Sequence, residues 1–142
     1  MYLLDTNVLS ELRKRSRCHP AVAAWIQPIP SSQLYVSVIA LGEIRKGIEL
    51  LAKRDPAAGA QLETWLEGLY ASYVDRVLEV SAVVAEEWGR MNAIRPLPAA
   101  DGLIAATAKA HDLTLVTRNL PDFHGVGVRL LNPFELSTSP GP

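Results

Sequence analysis

Tyr2-Leu3-Leu4-Asp5-Thr6-Asn7-Val8-Leu9 is the stretch whose reading decides the fold. Its apolar start suits a short buried strand. Asp5, Thr6 and Asn7 then supply cap-type side chains, and Val8, Leu9 and Leu12 recur at helical spacing. Strand, turn and helix follow one another directly, with a carboxylate at the turn.

The same punctuation returns along the chain. Leu34 to Ser37 reads as a strand before a helix whose Leu41, Ile44, Ile48 and Leu51 recur at three and four residues. Pro20 starts a short helix through Trp25, and a further amphipathic helix with Leu62, Trp65, Leu66 and Leu69 follows the Asp55-Pro56 break. Val77 to Val80 reads as a strand. Ser81 then caps a helix carrying Val84, Trp88 and Met91, with Glu86 and Glu87 near its exposed face. After Pro96-Leu97-Pro98 an Ala-rich helix runs from Ala99 to His111, and Leu113 to Val116 and Val128 to Leu131 read as the last strands. The tryptophans are expected in the core.

Strands that alternate with helices predict an α/β fold with a central, mostly parallel sheet between two helical layers, because parallel neighbours need crossover connections. At 142 residues and 49 % hydrophobic content the chain suits one packed domain, expected over 1–136, with a flexible Ser/Thr/Pro/Gly tail at 137–142.

In such a sheet the carboxyl ends of the strands open on one crevice. Asp5, Glu43 and Asp101 each sit where an apolar strand or a proline break gives way to a helix. Two carboxylates about 4 Å apart repel by roughly 4 kcal/mol at an effective dielectric near 20, so a convergent cluster needs a cation, a proton or a basic partner. A divalent metal site is the working hypothesis. Each acid also has a plainer reading: Asp101 complements a helix dipole, and Glu43, off the apolar stripe of its helix, suits an exposed helix former.

Composition narrows the function classes. Fourteen Lys and Arg against 15 Asp and Glu leave a net charge of -1, with no global drive toward nucleic acid or anionic membranes. Local basic patches, Arg13 to Arg17 and Arg45-Lys46, would have to supply any such binding. Cys18 is the single cysteine, which excludes an intrachain disulfide and a Cys-rich zinc site, and no base accompanies it as a nucleophile. His19, His111 and His124 form no metal or general-base motif. No run reaches the roughly 20 apolar residues of a membrane span, and the start lacks a secretory signal, so a soluble cytoplasmic protein is expected.

Four blocks together carry a family resemblance: Leu3 to Leu9, Glu43 within Ala40-Leu41-Gly42-Glu43-Ile44, Asp101 to Ala106, and Leu115 to Asn119 followed by Asp122-Phe123. They resemble the PIN domain, above all the VapC-like toxins of bacterial type II toxin-antitoxin pairs. The resemblance implies a three-layer α/β/α fold and a magnesium- or manganese-dependent endoribonuclease. It matches Asp5, Glu43 and Asp101 to the family's acids. Asp5 and Asp101 would be direct metal ligands, and Glu43 would bind through water or orient the attacking water. A fourth acidic position falls where this chain has Asn119, with Asp122 slightly later, which favours one tightly held ion and a second recruited with RNA phosphate. Hydrogen bonds from Thr6, Asn7 and Thr117 would fix the carboxylates, although Thr6 and Asn7 are equally good helix caps. Cleavage would leave a 5′-phosphate and a 3′-hydroxyl.

The resemblance further implies RNA as substrate, held by Arg13, Arg15, Arg45, Lys46 and Arg118, and a small antitoxin that places a basic side chain among the acids. It implies a homodimer through the exposed part of the Leu41–Leu51 or Leu62–Leu69 helix. Two rivals remain: a catalytically weak PIN-like module that binds RNA or protein, and a phosphatase of the haloacid dehalogenase type. The latter uses Asp-x-Asp, whereas Asn7 occupies the second position here.

Overall fold

The computed structural model describes residues 1–135; the tail expected at 137–142 lies outside the described residues. The strands are β1 (Tyr2–Leu4), β2 (Leu34–Ser37), β3 (Val77–Leu78), β4 (Thr114–Val116) and β5 (Leu130–Leu131). The helices are α1 (Thr6–Leu12), α2 (Pro20–Ile26), α3 (Val38–Ala52), α4 (Pro56–Ser72), α5 (Ala82–Ile94) and α6 (Ala99–Ala110). Short 3₁₀ turns cover Arg15–Arg17, Ser31–Gln33 and Leu120–Phe123.

All strand pairs are parallel, in the order β3-β2-β1-β4-β5. β1 is the central strand, and its Leu3 lies opposite Tyr35 of β2 and Leu115 of β4. Successive strand side chains point to opposite faces. Leu3 accordingly joins Leu115, Met91, Ile104 and Phe123 in the core beneath α5 and α6. Leu4 joins Val8, Val36, Ile44, Leu66 and Val116 beneath α1, α3 and α4. Both leucines are fully buried, which explains an uninterrupted apolar run in place of alternation. Helices thus cover the sheet on both sides.

The edge strands are shorter than expected. Val77–Leu78 replaces 77–80 because the chain leaves the ladder toward α5, where the Ser81 hydroxyl accepts from Val84 N. At the other edge the positive φ values of Gly125 and Gly127 belong to a turn, and regular pairing begins only at Leu130.

The tryptophans meet the expectation only in part: Trp25 and Trp65 pack against the core beneath α1, α3 and α4 without being fully buried, and Trp88 departs from it. Trp25 meets Tyr2 edge-on at 5.3 Å and Trp65 lies below Arg13, both half-buried at the margin, while Trp88 stays 37 % exposed. An indole is large for the narrow space left by short strands, and its N–H needs water or a partner. Glu87 also departs from its expected exposure: its side chain is largely covered, and Oε2 stands 3.8 Å from Lys109 Nζ.

From β1 the chain builds outward through β2 to β3, and then returns past β1 to build β4 and β5 on the other side. The strand order therefore reverses between β1 and β4. In open α/β sheets the crevice beyond the carboxyl ends at such a reversal is the favoured place for a site.

Candidate active site

Asp5 and Thr117 are the first residues beyond β1 and β4, so they meet at this reversal. Asp5 N still donates to Val116 O at 2.9 Å, while its side chain already caps α1. Oδ1 accepts from Thr6 N at 2.8 Å, and Oδ2 accepts from Thr117 Oγ1 at 2.8 Å and Asn7 Nδ2 at 3.4 Å. The Thr117 hydroxyl also accepts from Asn7 Nδ2 at 3.3 Å and Asn119 N at 3.1 Å, which uses its full capacity. Asn7 Oδ1 in turn accepts from Arg118 N at 3.1 Å. One polar network thus holds the Asp5 carboxylate.

Glu43 reaches the same place from α3. Ser37 caps that helix through Ile39 N, and the stripe Leu41, Ile44, Ile48 faces the core, leaving Glu43 beside it on the side that meets Thr6. Thr6 Oγ1 donates to Glu43 Oε1 at 2.6 Å, so a neighbour of Asp5 fixes the second acid. Asp101 comes from the first turn of α6, which Pro98 opens without a side-chain cap.

Electrostatics show the convergence. Burial pushes the Asp5 carboxyl above its ordinary value, against the hydrogen bonds from Thr117 and Thr6, and the negative charges of Glu43 and Asp101 push in the same direction. Asp101 is raised by burial first, then by Glu43 and Asp122. The fourth acid near the group is therefore Asp122, carried on the Leu120–Phe123 turn. Asn119, at the position matched to the family's acid, is exposed and binds Thr117 only through its backbone N–H. Among the described residues, none of these four acids makes an ion pair.

Sequence reasoning missed Arg95. Its Nη2 donates to Asp122 O at 2.7 Å and His124 O at 3.0 Å, and its Nε donates to His124 O at 3.1 Å. Together with buried Phe123 it pins the turn that carries Asp122. A lone arginine before Pro96 gives no sequence signal, since its acceptors lie almost thirty residues on.

The basic residues divide. Arg45 is engaged by Glu63, at 2.9 Å through Nη2, and by Glu49, which ties α3 to α4. Lys46 is exposed three residues beyond Glu43, a neighbouring position on a helix surface. Arg118 is exposed with its guanidinium 4.5 Å from the Phe134 ring centroid, and Arg13 lies 5.8 Å from that of Trp65. Arg15 is exposed in a left-handed conformation, φ 53°. Elsewhere, His19 Nδ1 caps α2 through Ala21 N, and burial and Glu11 push the Cys18 thiol up, away from nucleophilic use.

The acids Asp5, Glu43, Asp101 and Asp122 offer only oxygen donors, the set a hard divalent ion prefers. Among the described residues no three Asp, Glu, His or Cys side chains make a ready cage for an ion. Magnesium, which keeps several waters and takes one or two carboxylates directly, fits such an open arrangement better than calcium.

Residues 2–126 match the PIN domain family. The chain is 35 % identical to toxin FitB of Neisseria gonorrhoeae over 142 residues, which covers 95 % of this chain and 99 % of the relative. The crystal structure of FitAcB from the same organism superposes with a TM-score of 0.86 at 34 % identity, covering 96 % of this chain and 100 % of that one. The VapC ribonuclease Y4jK of Sinorhizobium fredii is 34 % identical over 95 % of this chain and 99 % of its own. A toxin-antitoxin complex from Klebsiella pneumoniae matches with a TM-score of 0.71 at 26 % identity, covering 96 % of this chain and 100 % of that one.

Proposed function

The chain belongs to the PIN domain family, and from that premise we propose that it is a magnesium- or manganese-dependent endoribonuclease and the toxin of a toxin-antitoxin pair. One observation carries the reading. Asp5, Glu43 and Asp101 come from three separate segments, and the charge of Glu43 adds to burial in raising the carboxyls of both aspartates, yet none of the three acids has a basic partner among the described residues. Two perturbed aspartates beside a third acid, with no cation among the described residues to answer them, support the reading of a site that spends stability on chemistry.

Asp5 and Asp101 would hold the ion directly, with Glu43 accepting from a water and Asp122 adding charge at the rim. When bound, such an ion acidifies a water and stabilises charge on the phosphate. Thr117 and Thr6 keep the Asp5 oxygens aimed into the crevice, and Thr6 also fixes Glu43, so both carboxylates are oriented before substrate arrives. Glu43 would orient a water toward phosphorus, and the products would be a 5′-phosphate and a 3′-hydroxyl. Arg118, Arg13, Arg15 and Lys46 offset repulsion between the acids and the RNA backbone, which makes affinity fall with salt. Arg45 is bound to its own glutamates and contributes least.

The protein acts in the cytoplasm as a homodimer bound by a small antitoxin, a state that size-exclusion chromatography of the chain alone and with its coexpressed partner would reveal. The decisive test of function is mapping 5′ ends of cellular RNA after brief induction. New ends are expected with the parental chain and none with Asp101→Asn; identical maps would refute the assignment.

A further inference from the structure

We infer that Trp88, packed against the turn of α6 that carries Asp101, is a stacking platform for a base of the RNA strand; the inference rests on the RNA-cleaving reading above. Val84, Trp88 and Met91 lie on one stripe of α5, at helical spacings of four and three. Val84 and Met91 are fully buried, but Trp88 on the same stripe is 37 % exposed. The indole lies against the first turn of α6: a β-carbon at Gly102 would stand 3.0 Å from Trp88 Nε1 and 3.1 Å from Cδ1. Glycine at that position is what allows the ring so close. Gly102 directly follows Asp101, so the ring packs against the same first turn of α6 that carries the third acid.

The indole is also chemically free. The Trp88 backbone carbonyl accepts from Asn92 Nδ2, whereas the indole N–H has no acceptor among the described residues. Nor does Trp88 pair with another aromatic ring or a cation there, as Trp25 does with Tyr2 and Trp65 with Arg13. A flat uncharged surface suits this place. The acids repel phosphate, and further cations would neutralise the acids themselves; a π-face attracts a base without altering either charge. The platform therefore binds through a nucleobase, with little demand on which base it is, because every base has a π-face.

Steady-state cleavage in magnesium of a mixed-sequence 12-nucleotide single-stranded RNA, carrying a fluorophore and a quencher, tests this. The full-length parental chain is compared with Trp88→Leu and Trp88→Phe. Trp88→Leu is expected to raise KM about tenfold, the order of a lost base–aromatic stack, with kcat near the parental value. Trp88→Phe retains a ring and should recover most of the affinity. An unchanged KM in Trp88→Leu overturns the inference and leaves the ribonuclease reading standing. So does a loss confined to kcat, or a Phe variant as impaired as Leu. If the parental chain cleaves no RNA, the ribonuclease reading falls and the platform with it.

Discussion

The two flanks of α3 treat negative charge in opposite ways. Toward α4, Glu63 and Glu49 are answered by Arg45, with Glu63 bridged through both guanidinium nitrogens. Toward the crevice, Glu43 faces Asp5 and Asp101, and only hydroxyl and amide donors reach these acids. The sequence had a cation at hand for each flank, yet only the seam between helices uses one. A seam that serves cohesion neutralises its charges, while the acids of the proposed site are left without a cation among the described residues, a repulsion that the proposed ion would relieve.

The two flanks should differ most in catalysis. Asp5→Asn is expected to slow RNA cleavage by at least about a hundredfold, because the proposed ion, whose stabilisation of the transition state would be worth several kcal/mol, would be held through that carboxylate. Arg45→Ala, on the opposite flank, should cleave near the parental rate and show only a small fall in Tm. Equal losses in the two variants would mean that the flanks do not differ in function.

Next comes the cost of holding the acids. Thr117→Val keeps the shape of a fully buried side chain but removes the hydroxyl that serves Asp5, Asn7 and Asn119, and urea unfolding should show a loss of roughly 1–3 kcal/mol. Thr64→Val on exposed α4 removes one bond to Ala60 O and should stay within about 0.5 kcal/mol of the parent. If the Thr64 change cost as much, the network at the crevice would have no special weight.

The smallest effect concerns pH. The folded Asp5 carboxyl lies above 3.8, its ordinary value, chiefly through burial. Folded protein then holds this proton more tightly than unfolded chain, so stability falls as pH rises from about 3.8 through the folded value. In chelator at pH 7, Asp5→Asn should therefore melt slightly above the parent, with the gap closing as the pH approaches 4. A variant that melts lower at pH 7 would show that the hydrogen bonds from Thr6 and Thr117 outweigh burial.

The reach of sequence reasoning follows from the range of the forces involved. Asp5 was legible because a strand run, a cap and a helical stripe are all local, and they place a carboxylate at a strand end wherever that strand lies. Ser37 before α3 and Asp101 in the first turn of α6 follow the same logic. Glu43 was ambiguous from its own helix, since an acid beside an apolar stripe is compatible with solvent; contact with Thr6, 37 residues earlier, settles which way it faces. Asn119 and Asp122 could not be ranked from spacing. The Arg95 contacts to the Asp122 and His124 carbonyls position their turn, and those contacts cross from the end of α5.

The order of strands and helices, the apolar residues that fill two cores and the two aspartates at element starts, Asp5 and Asp101, were determined by sequence alone, because hydrophobic period and capping chemistry act over a few residues. Tertiary structure decided the rest: that β1 and β4 meet where the strand order reverses, that Asp122 in place of Asn119 adds to the charge around Asp101, and that Trp88 stays partly open against the first turn of α6. Electrostatic coupling and exposure depend on distances between remote segments, and only a folded chain has those distances.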